Sequence, residues 1–321
     1  MNCFITGIEG FVGRHLAAHL AGSAHRVSGS YLDQSAADGL GGGYQLYRAD
    51  LRDSGQWARL MQSARPDCIF HLAAQSSPAW SFKRPAETLE INVVGTANLL
   101  EACRQACPEA RFLAISSCEI YGMTSDDRPV AEDQPYNPAS PYAVSKIAQE
   151  QLAIQYHHSY GLRAIIARPF PHTGPGQPDN FALPSFARQA AEIAAGLRPP
   201  VVEVGNLSAR RDLSDVRDVI RAYALLAEKG IPGQIYNVCS GKYLSIQSAL
   251  ETLIGLSGLD IEVRPDPARF RPLDIPILWG DNAKLKRQTG WSPEYDIERT
   301  LEDLYRYWLA RVGKQDKEGV K

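Results

Sequence analysis

The chain has 321 residues, 44% of them hydrophobic and 22% charged, with a formal net charge of −2. That length accommodates one large or two modest domains with a sizeable core, and the near-neutral charge supplies no basic footprint for nucleic acid or an anionic membrane. Apolar runs are broken by charge well short of a membrane span, so no transmembrane helix is expected.

Met1-Asn2-Cys3 leads straight into a strand-like segment and leaves no room for a signal peptide. NCFIT is followed by Gly7-Ile8-Glu9-Gly10-Phe11-Val12-Gly13 and then by the apolar-periodic RHLAAHLAGS, which predicts strand, glycine-rich turn and helix. Glycines let a backbone approach a pyrophosphate, and a helix N-terminus offers it N–H groups and a positive dipole end. The spacing is GxxGxxG rather than GxGxxG; directly after an N-terminal strand it points to a dinucleotide. The second strand is RVSGSYL, and Asp33 falls 20 residues after Gly13, where an acidic side chain binds the ribose 2′-hydroxyl of NAD. No arginine occupies Ser30 to Asp33, although Arg48 or Arg52 is near enough to meet a 2′-phosphate, so NAD is favoured over NADP. DQSAADGLGGG is expected to be a surface loop.

YQLYRADLRD then forms a strand ending at Asp50-Leu51, followed by the helix SGQWARLMQSA. CIFHLAA is expected to be a buried parallel strand that ends in the small-residue turn AAQSS. A helix from about Glu87 to Ala106 carries Leu89, Val93, Ala97 and Leu100 on one face, and Arg111 to Ser117 is an apolar strand ending in hydroxyls. The alternation continues through LRAIIARPF, the helix DVRDVIRAYALLAEKG and IYNVCSG. This is an α/β pattern, a doubly wound parallel sheet of Rossmann type with its chemistry at the carboxyl strand ends. It assigns residues 1–170 and 213–240 to the nucleotide-binding domain. Residues 171–212 and 241–312, rich in Pro, Gly and Arg, form a smaller, discontinuous α/β substrate-binding lobe, and 313–321 a frayed tail. In that lobe Arg210, Arg211, Arg269 and Arg271 lie on loops; their guanidinium forks suit a diphosphate, with plain solvation the equal alternative. The six cysteines (3, 68, 103, 107, 118, 239) form no CxxC pair and no metal-ligand cluster, which describes reduced, buried thiols in a cytoplasmic protein.

The chemistry centres on SPYAVSK. Tyr142 and Lys146 are four residues apart in a helical segment and share one face. A nearby ammonium favours the phenolate and is expected to lower the tyrosine pKa from about 10, making a useful proton-transfer group. Ser117, upstream in SSCEIYG, supplies a hydroxyl for the reacting oxygen. YxxxK alone also fits an exposed helix with a chance register.

Together, GIEGFVG, ADLRD, HLAAQSS, NVVGTANLLEA, SSCEIYG, SPYAVSK, RPF, RRDLSDVRDV, YNVCSG, RPLDIPILWGD and TGW resemble the extended short-chain dehydrogenase/reductase family over nearly the whole chain. Within its nucleotide-sugar branch the second-lobe motifs look most like GDP-4-dehydro-6-deoxy-D-mannose reductases, which make GDP-D-rhamnose from the product of GDP-mannose 4,6-dehydratase. The resemblance makes Gly7, Gly10, Phe11, Val12 and Gly13 the pyrophosphate loop, puts Asp50 and Leu51 beside the adenine, and lines the cofactor channel with Leu72, Ala73, Ala74 and Gln75. Ser117, Tyr142 and Lys146 become the catalytic set, with Lys146 also holding the nicotinamide ribose. His172, Asn180, Asn206, Arg211 and Arg271 match substrate-contacting positions, and Asp274 would orient Arg271 or contact a sugar hydroxyl. Relatives pair through the helices around Glu87–Ala106 and Tyr142–Tyr156, which implies a homodimer. One departure is Pro171, where family members usually carry a substrate-contacting Asn.

Glu119 separates two activities. In 4,6-dehydratases a Ser/Thr-x-Glu arrangement supplies the base that removes the C5 proton, and Ser117-Cys118-Glu119 reproduces it. Against dehydration stand the compact length, the reductase-like second lobe and the missing arginine after the second strand. The resemblance therefore implies NADH- or NADPH-dependent reduction of a 4-keto sugar nucleotide, with 4,6-dehydration the alternative. A non-catalytic, redox-sensing NAD scaffold is the remaining reading; such proteins typically lose the Tyr or Lys present here.

Overall fold

A computed structural model of the chain describes residues 1–124, 128–270 and 273–318, with side chains as far as residue 313. Six parallel strands, β1 (Asn2–Thr6), β2 (Arg26–Tyr31), β3 (Gln45–Arg48), β4 (Cys68–His71), β5 (Arg111–Ile115) and β6 (Arg163–Pro169), are joined by a seventh, Ile235–Val238. The sheet order is Ile235–Val238, β6, β5, β4, β1, β2, β3, so the winding reverses between β1 and β4. In an open parallel sheet that reversal creates a crevice at the carboxyl ends, where ligands bind. The central strands β1, β4, β5 and β6 are mostly apolar because both faces are covered. In β1, Cys3 and Ile5 face one core with Leu16 and Leu20 of helix α1 (Phe11–Gly22) and Tyr223 and Leu226 of helix Val216–Lys229. Phe4 faces the other, with Trp57 and Met61 of helix Ser54–Ala64 and Leu99 and Leu100 of helix Gly95–Ala106. Each such aliphatic or aromatic burial contributes about 1.5–3 kcal/mol.

Three sequence expectations change. The expected surface loop after β2 contains a short helix, Gln34–Asp38, because Asp33 caps it by accepting from the Ser35 amide at 2.9 Å. The helix expected over 87–106 is a composite: Pro85–Leu89, a π-helical turn Glu90–Val94, then Gly95–Ala106. The last helix, Ile297–Glu318, carries on past residue 313.

The second lobe has its own core, in which Leu183, Phe186, Leu250, Leu253, Leu304 and Trp308 pack together from three helices. The chain then returns to the sheet: Leu285 and Trp291 join the first core, and the Trp291 indole donates to Asp218 O at 3.0 Å. One buried carboxylate, Asp212, gathers amides from two separate crossings of the chain. It accepts from Ser240 N (2.8 Å), Ser240 Oγ (2.6 Å), Gly241 N (2.9 Å) and Gly280 N (3.3 Å). All six cysteines are free and buried. Among the described residues no His/Cys/Asp/Glu group could hold a metal ion, and no helix is long and apolar enough to cross a membrane.

Candidate active site

The glycine loop is shaped for close approach. Gly7 has φ +69°, a conformation that costs a side-chain-bearing residue energy, and a Cβ there would meet the Ala73 backbone at 3.1 Å. A Cβ at Gly13 would overlap the Gly7 carbonyl oxygen. Gly10 begins α1 with no side-chain cap, so no side chain covers the first-turn amides at Phe11 and Val12. Opposite, Leu72, Ala73, Ala74 and Gln75 follow β4, and Ala73 N donates to Thr6 Oγ1 at 3.0 Å. Gln75 Oε1 is buried without a partner. A glycine cradle, uncapped helix amides and an orphaned buried acceptor fit a dinucleotide, with Gly7 to Gly13 and Ala73 to Gln75 its holders. At the adenosine end Leu51 is buried, and Asp50 is bound to Arg52 at 2.6 Å, which commits that arginine. Asp33 is exposed, with its carboxylate on Ser35; Arg48, in register with Tyr31 at the end of β3, is exposed too.

Tyr142 and Lys146 lie on the helix Pro141–Tyr160. Ser140 caps it by accepting from Ala143 N at 3.1 Å, and Pro141 takes the first helical position, where its missing N–H costs nothing. Tyr142 and Lys146 are both buried. Contrary to the sequence expectation, the Tyr142 pKa is raised: burial dominates, a hydrogen bond from Ser117 opposes it, and the Glu119 charge adds to it. Lys146 does not reverse this because its ammonium turns to the end of β5, donating to Ile115 O at 2.8 Å and Gln149 Oε1 at 2.9 Å. Burial lowers Lys146 to about 7. Ser117 also accepts from Glu119 N at 3.2 Å, which fixes the turn that carries both.

A narrow cleft is lined by Glu119 and Ser140 together with Arg211, Asp274, Phe82 and Leu273. Arg211 donates to Asp274 Oδ1 at 2.8 Å and Asn206 Nδ2 to Asp274 Oδ2 at 2.8 Å. Asp274 therefore orients Arg211 and Asn206; the expected partner, Arg271, lies outside the described residues. Arg210 is on a strand, Arg210–Asp212, with its guanidinium over the Tyr243 ring. Arg269 is turned to Glu203 and Asp266. His172 stacks 6.3 Å from the Phe11 ring and bonds to Phe170 O, which puts it beside the cofactor loop instead of among the cleft residues. Asn180 is exposed on a turn.

Several residues here were not singled out from sequence. Asn92, in the π-helical turn, accepts from Gln75 N (2.8 Å) and donates to Gln75 O (3.0 Å) and Ser145 Oγ (2.9 Å), clamping the cofactor loop to the helix that carries Tyr142. His71 bridges Thr6 and Thr96, each at 2.9 Å. The Thr96 hydroxyl donates to Asn92 O, so His71 Nε2 must donate and Nδ1 accept, and burial lowers its pKa to about 3. Arg168 of β6 lies between the Tyr121 and Tyr136 rings, and all five of its N–H groups are used: on Glu150 twice, Tyr121 Oη, Tyr136 Oη and Glu132 O. A charged residue inside the buried run AIIARPF, and Glu150 four positions beyond Lys146, were the available signals.

Fold and site together define an NAD(P)-dependent oxidoreductase of the extended short-chain dehydrogenase/reductase class that acts on a nucleotide sugar. The chain belongs to the GDP-mannose 4,6 dehydratase family, whose model matches residues 4–304. It is 39% identical to the GDP-6-deoxy-D-mannose reductase of Pseudomonas aeruginosa over 97% of this chain and 98% of that one. It superposes on the structure of RMD from P. aeruginosa complexed with NADPH with a TM-score of 0.85, at 35% identity, covering 97% and 100% of the two chains. It superposes on the Thermus thermophilus UDP-glucose 4-epimerase complex with NAD with a TM-score of 0.87, at 29% identity, covering 96% and 99%.

Proposed function

We propose that the chain reduces the 4-keto group of a GDP-4-keto-6-deoxyhexose with NADH or NADPH, yielding GDP-6-deoxy-D-mannose (GDP-D-rhamnose). The observation that carries this is the buried Ser117–Tyr142–Lys146 set, whose chain neighbours Glu119 and Ser140 line a cleft together with the oriented Arg211. Bound reduced nicotinamide supplies hydride to the carbonyl carbon. Tyr142, kept protonated by its raised pKa, gives its proton to the oxygen as charge develops there. Ser117 holds that oxygen through its hydroxyl, and Lys146 stabilises the phenolate left behind. Arg211 meets the diphosphate with a planar, bidentate fork.

The test is to offer GDP-4-keto-6-deoxy-mannose with NADH or NADPH, follow cofactor oxidation and identify the sugar. Tyr142→Phe is expected to lose nearly all turnover while keeping cofactor affinity; an active variant sinks the assignment. The position of Glu119 in the cleft favours 4,6-dehydration as the second reading. Conversion of GDP-mannose to a 4-keto product, abolished by Glu119→Gln, would establish it; ketone reduction surviving that substitution supports the reductase.

Asp33 at the end of β2, with Arg52 held by Asp50, supports NADH over NADPH, which kcat/KM for the two cofactors decides. Exposed Leu89, Val94 and Val144, on the helices spanning 85–106 and 141–160, support a homodimer, readable by light scattering. Free, buried thiols support a cytoplasmic setting. Two separate cores support a division into 1–170 with 213–240 and 171–212 with 241–312, with 283–291 returned to the nucleotide-binding domain.

A further inference from the structure

Gln149 lies one turn beyond Lys146 on the catalytic helix and is 1% exposed. Its Oε1 accepts from Lys146 Nζ at 2.9 Å, while the same ammonium donates to Ile115 O at 2.8 Å. An ammonium only donates, so the amide must present its oxygen to the lysine. Its nitrogen is then buried without a partner. Buried polar groups ordinarily find partners, and a methionine would fill the same space with no unpaired N–H. What the oxygen does for Lys146 is the feature that accounts for a glutamine here.

We propose that Gln149 is a positioning residue that, with the Ile115 carbonyl, keeps Lys146 cationic and directs its remaining N–H toward the Tyr142 side, where Nζ lies 5.9 Å from the ring centroid. The surroundings supply little else to hold the charge. From β4, His71 is kept neutral between its threonines. On the helix itself Glu150 is taken by Arg168, and Tyr142 is protonated. Beyond Tyr142 lie Glu119 and Cys118 on the Ser117 turn and Tyr223 on helix Val216–Lys229. Burial is the cause that shifts Lys146, and it acts against the charge.

The experiment compares kcat against pH for wild type, Gln149→Met and Gln149→Glu; this readout rests on the reductase reading. Cationic Lys146 is required, so activity falls as pH rises through its pKa. A carboxylate at that position is expected to move the alkaline limb up by about 1–3 pH units. The methionine is expected to move it down by roughly half a unit or more. A purely structural role would not displace the limb in opposite directions. NMR titration of Lys146 in the cofactor-free protein, assigned with Lys146→Arg, is expected to show the same two displacements. It needs no turnover, so a wild type inactive on keto-sugars overturns the reductase reading and leaves this one measurable. Unmoved Lys146 titration in both variants, or displacement in one shared direction, overturns the inference.

Discussion

Replacing Arg168 by methionine tests what holds the two halves of the catalytic set in register. Ser117 and Glu119 sit at one end of the segment running to Ser140, and Tyr142 starts the helix at the other. Arg168 fastens that segment through Tyr121, Glu132 O and Tyr136, and fastens it to the catalytic helix through Glu150 at 2.6 Å. Both charged side chains are essentially inaccessible, at 1% and 0% exposure. Arg168→Met leaves an uncompensated carboxylate in that interior, a change that costs about 3–5 kcal/mol. At about 2 °C per kcal/mol for a protein of this size, the melting temperature should drop by roughly 6–10 °C. The double variant Arg168→Met/Glu150→Leu removes both charges and should recover most of the loss, since apolar replacement of a buried pair is commonly neutral. Tyr121 keeps its bond to Asn237 and Tyr136 its bond from Gln151 in that background. Turnover should nevertheless stay roughly tenfold or more below wild type, because the stacked plane between the two tyrosines is gone and small misplacements are expensive in catalysis. Thermal unfolding followed by circular dichroism, paired with steady-state kinetics on the folded variants, reads both effects. A single variant melting within about 1 °C of wild type, or a double variant no more stable than the single, refutes the reasoning.

Gly13→Ala should weaken cofactor binding at least about tenfold in a fluorescence titration, because the added Cβ overlaps the Gly7 carbonyl and pushes the loop out of shape. His71 should make stability fall with acid. Its folded pKa of about 3 lies below the unfolded value of 6.5, so the unfolded chain takes the proton first. Stability is therefore full above pH 6.5 and lost progressively toward pH 3, by up to roughly 5 kcal/mol. Urea melts of His71→Gln should show a flatter slope across that window. Arg211→Gln should raise KM for the nucleotide sugar about 10–100-fold with little change in cofactor affinity, the scale of one charged hydrogen bond. An unchanged KM would remove Arg211 from the substrate site.

The sheet was legible because buried parallel strands and amphipathic helices leave apolar runs and periods in the chain, as in NCFIT, CIFHLAA and DVRDVIRAYALLAEKG. The glycine loop and the Tyr142–Lys146 pair could be singled out because their spacing is local, Gly7 takes a positive φ and positions i and i+4 share a helix face, whereas Ser117, 25 residues upstream of Tyr142, entered through the motif around it. What sequence did not expose is set by three-dimensional neighbours. The raised Tyr142 pKa follows from burial at a lobe boundary, and no spacing encodes depth. Asp274 was read beside Arg271 because they are close in sequence, yet its partners Arg211 and Asn206 are 63 and 68 residues away. His172 was assigned to substrate by the family resemblance, whereas the strand His172–Thr173 sets its ring against Phe11. Asn92 and Arg168 act only through contacts that the fold brings together, and Gln149, although one turn from Lys146, is set apart only by its burial.

Asp212 has a mechanical consequence. The lobes are laced at Asp212 by amides from two separate passes of the chain, and again where Asp215, Arg217 and Asp218 hold Thr300, Asp303 and the Glu294 and Tyr295 amides, so a second lobe that moves should rock about this line and not slide along it. In a lever of this kind displacement grows with distance from the pivot. Arg211, the adjacent residue, should stay nearly still while Phe82 and Leu273 on the rim swing toward or away from one another. Opening and closing would then alter how much room the sugar has while leaving the phosphate anchor in place. Structures with and without a nucleotide sugar would show this as a hinge axis passing through Asp212.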